Sequence, residues 1–443
     1  MERRGSRYFA EQTHTVQCVC VWLAEALAIL FSRKVAQKGK GPGKEEHMPF
    51  ALLHICSATA PAGTIENHSF EQFVADYKRS YAPNSTEFAL RRRIFDENLR
   101  RVRAHNADAS QTWKRGINRF SDQTPEEAKS FFGYNRFADD AVSFSSARKS
   151  REREQAMVPG GLPEGWPMPS AVDWTALWGS PLHTWSGAPS IMTGMKEQGA
   201  CGSCWALAVA ANLESYAALA TGSLPVLSAQ QLLSCTPNPR KCGGDGGCDG
   251  STPMLAYEYV HNNGIITDES WEYTGKDCEG TSLPDCNRCN NIGSEAKVHT
   301  NGWVQVKEND YDAVIHALAT QGPLVVGVAA SSWFDYQGGV FDGCANASRL
   351  VINHAVQLVG YGTDPELGDF WRLRNWWGEE WGEGGYMRLR RTSAKHCAND
   401  PDPHEGFGCE DGPASVTVCG DCGILFKASH PVEVSVSQPG QPR

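Results

Sequence analysis

What the chain lacks first is an excess of positive charge. It sets 41 Lys and Arg against 51 Asp and Glu over 443 residues, a formal charge of −10. That excludes a protein whose whole surface follows a phosphate backbone. It also lacks a long apolar run near its start. The stretch from Val16 to Phe31 is broken by Glu25 and closed by Arg33 and Lys34, and its 16 residues fall short of the roughly 20 that a bilayer requires. Residues 68–132 contain no cysteine, yet the chain has 16, three before residue 60 and thirteen after residue 200. An odd number in the second half fits an oxidising compartment in which one thiol stays out of the bridges.

With 41% hydrophobic and 10% aromatic residues, a packed core is expected and disorder throughout is excluded. The length allows two or three domains. Residues 1–160 hold 25 Lys and Arg against 19 Asp and Glu, a net of +6, which leaves −16 for the remainder. A basic front and an acidic body attract each other. Near the start, Pro49 to Cys56 forms a second apolar run after Met48, followed by Ala58-Thr59-Ala60, a small-x-small cleavage pattern. Either Met48 opens a signal peptide or the Val16–Phe31 stretch is itself a signal or anchor; both send the chain into the secretory pathway. Sequons at Asn67, Asn84 and Asn346 are compatible with that route.

Within 68–132, Glu87, Arg91, Phe95, Asn98, Val102 and Asn106 recur at steps of four, four, three, four and four. That spacing places all six on one stripe of a helix. An ordinary amphipathic helix would carry leucines there. Gly116, Asn118, Phe120 and Asp122 follow at alternate positions. Residues 133–165 read as a linker: Ser143 to Glu154 is polar and charged, and Pro159-Gly160-Gly161 follows, the composition of an exposed, cleavable segment.

The stretch Gln198-Gly199-Ala200-Cys201-Gly202-Ser203-Cys204-Trp205 precedes an Ala, Leu and Val-rich run that ends at Gly222. A run apolar nearly all round reads as a buried helix with a glycine stop. Cys204 then sits at a helix N-terminus, where the dipole favours a thiolate. A thiolate nucleophile needs a histidine to share its proton and a third group to hold the ring. His354 lies 150 residues after Cys204 in Asn353-His354-Ala355-Val356, and Asn375 opens Asn375-Trp376-Trp377-Gly378. A zinc or redox reading of Cys201 and Cys204, with Cys286 and Cys289 as the second zinc pair, would explain neither Gln198 nor Trp205.

Together these motifs resemble the papain family of cysteine proteases, in its cathepsin L-like form, with an inhibitory propeptide over 61–132. The resemblance covers residues 68–132 and about 170–432. It implies an α+β, papain-like two-lobed fold, a helical lobe and a β-barrel lobe with the active site in the cleft. It divides the chain into an N-terminal extension with signal or anchor (1–60), propeptide (61–132), processing linker (133–165) and mature peptidase domain (166–443). It implies Cys204 as nucleophile, His354 as base, Asn375 as the group that orients it under Trp377, and Gln198 as an oxyanion donor. Trp376 stands where the family carries serine, so the surface beside it is expected to differ. The activity implied is a cysteine endopeptidase made as a zymogen; the alternative is an exopeptidase in which the 392–421 insertion limits the cleft. No cofactor and no metal are expected. The expected partners are peptide or protein substrates and the chain's own propeptide, not nucleic acid, and the expected state is a monomer in an acidic lysosome- or vacuole-like compartment or outside the cell.

The same resemblance implies bridges Cys201–Cys248, Cys235–Cys278 and Cys344–Cys422. It leaves Cys242, Cys286, Cys289, Cys397, Cys409 and Cys419 with fifteen possible pairings. It also implies a cleft lined by Gly250, Ser251, Pro253, Met254, Gly327, Ile352 and Trp377. Gly327, Ile352, Pro253 and Met254 surround the pocket for the side chain two residues before the cut, and Lys427 stands at its base. A lysine there would favour acidic side chains unless its amine snorkels to water.

Overall fold

The computed structural model describes residues 68–132, 168–176, 190–277, 288–290, 292, 295–392 and 396–437. The expected leader and linker, and Cys278 and Cys286, lie outside the described residues.

The propeptide opens with α1 (Phe70–Asp76) and α2 (Thr86–Ala107). Each is capped by a serine, Ser69 and Ser85, whose hydroxyl accepts a backbone N–H of the first turn, worth about 1 kcal/mol per helix. Phe70, Phe73, Phe95 and Leu99 make a small core between them. Three polar members of the α2 stripe have partners on the returning chain, and the fourth, Glu87, braces Arg91. Asn98 Nδ2 donates to Ser121 O at 2.9 Å, Asn106 Nδ2 to Arg115 O at 2.8 Å, and Arg91 reaches Glu127 at 2.5 and 2.7 Å. The stripe is polar because its side chains bond the backbone and Glu127 of the returning chain. That returning chain forms β1 (Trp113–Arg115) and α3 (Pro125–Ala128). Asp122 is fully buried, bonded to Arg79 at 3.0 Å and Tyr81 at 2.7 Å.

The helical lobe holds α4 (Cys204–Thr221), α5 (Ala229–Cys235) and α6 (Pro253–Asn263), after the short strand β2 (Val172–Asp173). Helix α4 is buried along almost its whole length and stops at Gly222, which takes φ 75° and returns its N–H to Ala218 O, as the apolar run predicts. The second lobe contributes β3 (Val298–His299), β4 (Trp303–Gln305), α7 (Tyr311–Thr320), β5 (Leu324–Val328), β6 (Tyr336–Phe341), β7 (His354–Asp364), β8 (Gly368–Arg374), β9 (Tyr386–Arg390), β10 (Cys397–Asp400), β11 (Val416–Cys419), β12 (Ala428–Pro431) and β13 (Ser435–Val436). Its main sheet runs β1-β6-β9-β8-β7-β5-β12-β4, with β2 also on β7. The propeptide thus supplies the edge strand of the second lobe's own sheet. The β7 strand reads His-Ala-Val-Gln-Leu-Val and is buried on both faces, so it carries His354 on a rigid element.

Disulfides Cys201–Cys248 and Cys344–Cys422 form as the resemblance implies. Cys235 does not pair with Cys278; it pairs with Cys289, Cα to Cα 5.5 Å. The cause is packing. Arg288 bonds Ser270 O at 2.6 Å and lies over Trp271. Cys289 beside it joins Ile266, Trp271 and Ile292 in one apolar cluster against Cys235. This also removes Cys289 from any zinc site. The remaining described pairs are Cys242–Cys409 and Cys397–Cys419.

Candidate active site

Among the described cysteines, Cys204 stands outside the disulfides. It is the first residue of α4 and is 2% exposed, and the backbone N–H of Ala355 on β7 approaches its Sγ at 3.4 Å. A helix start and that N–H both favour sulfur as an anion. His354 is fully buried, and its Nε2 meets Asn375 Oδ1 at 2.8 Å. Nδ1, the other ring nitrogen, is buried without a hydrogen bond. Burial lowers the His354 pKa from 6.5 to about 4, against the bond to Asn375, which raises it. In this closed form the ring is therefore neutral near pH 7.

Asn375 follows the end of β8 and is 1% exposed. Its Oδ1 also accepts the N–H of Trp376 at 2.8 Å. Trp377 stacks on His354, ring centroids 5.1 Å apart, which keeps water from the His354–Asn375 bond. Trp376 departs from expectation. It alters no surface, being fully buried with the apolar core of the helical lobe, and its Nε1 donates to Ala355 O at 2.8 Å. Its carbonyl accepts the N–H of Gln198 at 2.8 Å, so one residue joins the strand of His354 to the segment that holds Gln198.

Gln198 is fully buried. Its Nε2 donates to Cys201 O and to Phe131 O, both at 2.8 Å. The second acceptor belongs to the propeptide. Phe120, Phe131 and Phe132 pack on this face: Phe120 lies 5.4 Å from Trp377, and Phe132 meets the His354 ring edge-on at 6.1 Å. Asn118 donates to Phe334 O at 2.6 Å, and Phe334 stacks on Trp377 at 4.9 Å. Arg115 pairs with Asp335 and Arg119 with Glu197. Burial lowers the Arg119 pKa to about 10.

The cleft residues fall as follows. Gly250 and Ser251 lead into α6, whose first residues are the buried Pro253 and the half-buried Met254. Gly327 on β5 faces Ala355 on β7, and Ile352 precedes β7. Gly327 and Ile352 do meet, but around a third residue, Phe407. Lys427 turns its ammonium to Glu308 and over the ring of Phe426, so its charge is matched within the protein. Sequence reading missed Phe131, Phe132, Phe407 and Tyr273. The Tyr273 hydroxyl donates to Gln198 O at 2.8 Å and meets Ser203 Oγ at 2.5 Å, and burial raises its pKa to about 12. An apolar Phe-Phe pair closing a polar segment was an available signal; nothing local marked the other two.

The profile described as Papain family cysteine protease matches residues 169–404, and that for the Cathepsin propeptide inhibitor domain (I29) matches residues 70–128. A cathepsin L-like protein of Caenorhabditis elegans is 31% identical over 73% of this chain and 87% of its own length. Pro-cathepsin H of Bos taurus is 29% identical over 78% and 93%. The structure of digestive procathepsin L 3 from Tenebrio molitor larval midgut superposes with a TM-score of 0.58 at 26% identity, covering 82% of this chain and 97% of that one.

Proposed function

Since the chain belongs to the papain family of cysteine proteases and carries that family's propeptide inhibitor domain, we propose that Cys204 is the nucleophile of a thiol peptidase held closed by residues 68–132. The Cys204 thiolate attacks a peptide carbonyl. The Gln198 amide and the backbone N–H of Cys204 take up the oxyanion charge. His354 Nδ1 gives its proton to the leaving amine, and water then hydrolyses the thioester. Asn375 positions the ring.

The observation that carries this reading is the meeting of four distant segments. The start of α4, the start of β7, the end of β8 and the Gln198 segment converge, with Nε2 of His354 committed to Asn375 and Nδ1 left over. The test is alkylation. Iodoacetamide should inactivate the processed enzyme with one label, on Cys204, and should label the zymogen far more slowly. Inactivation without label on Cys204 would refute it.

The five described disulfides fit the secretory pathway. An acidic compartment on that route suits the titration of His354. Of the two modes of cleavage, endopeptidase and exopeptidase, the second has a specific observation in its favour. The 396–412 segment is bonded to both lobes, through Cys242–Cys409 on one side and Ile352 on the other. A cleft crossed in this way favours chain ends.

A further inference from the structure

The segment between β10 and β11 is a strap with two anchors. On the barrel side, β10 pairs with β11 and Cys397–Cys419 staples them. Asp400 Oδ2 accepts the N–H of Ile352 at 3.0 Å, next to His354 in the chain with only Asn353 between. On the helical side, Cys409 is joined to Cys242, Cα to Cα 3.7 Å, and the N–H of Gly243 donates to Gly408 O at 2.8 Å. The N–H of Glu410 donates to Arg240 O at 3.1 Å.

Between these anchors lies Gly406-Phe407-Gly408. A Cβ placed on Gly406 would come within 1.4 Å of Ile352 O, so only glycine can lie so close to that wall. Gly406 O faces Gly243 from the other wall, 2.3 Å from where its Cβ would be, with Ser251 O 2.9 Å from the same point. Phe407 packs against the cores of both lobes. A Cβ on Gly327 would meet its ring at 2.9 Å and Ile352 Cγ2 at 3.0 Å. Strap backbone and phenyl ring therefore fill the space between Ser251, Ile352 and Gly327, where the second residue on the amino side of the cut would bind.

We propose that Phe407 stands in for that substrate residue, so that the cleft admits a single residue before the scissile bond and the enzyme is an aminopeptidase that releases N-terminal residues one at a time. The inference rests on Cys204 being the nucleophile. The thiolate forms a thioester with the N-terminal aminoacyl group, the shortened peptide leaves as an amine with the His354 proton, and water frees the amino acid. The strap suits a free amine. Residues 396–412 include Asp402 and Glu405 ahead of Phe407 and no Lys or Arg, the charge of Asp411 being matched by Arg240. An α-ammonium meets negative potential there, whereas a longer or blocked chain meets Phe407.

The test compares kcat/KM of the processed enzyme on arginyl-aminomethylcoumarin, which has a free amine, and benzyloxycarbonyl-Phe-Arg-aminomethylcoumarin. Wild type should favour the free amine by at least about tenfold, and Phe407→Ala should raise hydrolysis of the blocked dipeptide by at least about tenfold through the reopened apolar pocket. A wild type that prefers the blocked dipeptide overturns the proposal, whether or not the variant folds. Iodoacetamide separates the two readings. Loss of all activity on alkylation of Cys204 together with a preference for the blocked dipeptide removes the strap proposal alone. Free-amine hydrolysis that survives alkylation of Cys204 removes the nucleophile beneath it.

Discussion

The carbonyl oxygen of Phe131 accepts a hydrogen bond from Gln198 Nε2 at 2.8 Å. The propeptide thus occupies, with a peptide carbonyl of its own, the donor proposed for the substrate's oxyanion. Phe132, the next residue, covers the His354 ring. Adjacent propeptide residues thus occupy the proposed oxyanion donor and add to the cover that Trp377 already gives the His354 ring.

That coupling sets a pH dependence. In the closed form His354 titrates at about 4, lowered from 6.5 by burial. Between those values the open form binds a proton that the closed form does not. The closed form therefore loses stability as pH falls from about 6.5 to about 4, by up to roughly 3 kcal/mol. Propeptide release should be faster at pH 4.5 than at pH 7 in a gel time course of the purified zymogen, and Phe132→Ala should narrow the difference. Equal rates at both pH values would contradict this account.

Removing Asn375 leaves His354 Nε2 and the Trp376 N–H without their shared acceptor. A buried group so stranded costs about 1–3 kcal/mol, so Asn375→Ala should lower kcat about ten- to a hundredfold. Because Asn375 acts through the ring, the pH profile of kcat should shift as well. A fall in kcat with an unmoved profile would indicate a purely structural role.

Arg91, braced by Glu87 on the same helix, ties α2 to Glu127 and the carbonyl of Asp122. Arg91→Ala should loosen the returning segment that carries Phe120 to Phe132. The zymogen should then mature several-fold faster at pH 7, where wild type is slow. Unchanged maturation would mean that the stripe does not hold the inhibitory segment in place.

Peptide mapping without reduction should recover Cys235 linked to Cys289 and Cys242 linked to Cys409. Cys289→Ser should cost about 2–4 kcal/mol of stability, read as a lower midpoint in denaturant. A Cys235–Cys278 peptide would contradict the packing on Trp271.

Much of this was legible in the sequence because the signals were local. Cys204 stands at the head of an apolar run with a glycine stop, and the α2 stripe has helical spacing whose polar members needed partners. His354 and Asn375 are legible through short motifs at the start of β7 and just past the end of β8. The failures were non-local. The partner of Cys235 depends on the packing of Arg288 on Trp271 beside Cys289, which no spacing encodes. Trp376, in place of the family's smaller serine, predicts a changed neighbouring surface, yet the ring lies in the core with its indole N–H on Ala355 O. Phe407 lies in a cysteine-rich stretch with no periodicity, and its place between the lobes follows only from the Cys242–Cys409 pairing, one of fifteen arrangements the sequence left open.

The most direct measurement is turnover of Cys204→Ala beside wild type on the free-amine substrate, each processed by an added protease that cuts within 133–165. The account predicts that the variant folds with an unchanged denaturation midpoint and loses activity by at least about four orders of magnitude, the scale seen when a nucleophile is removed. Turnover within about tenfold of wild type would contradict the assignment of Cys204 and the chemistry built on it.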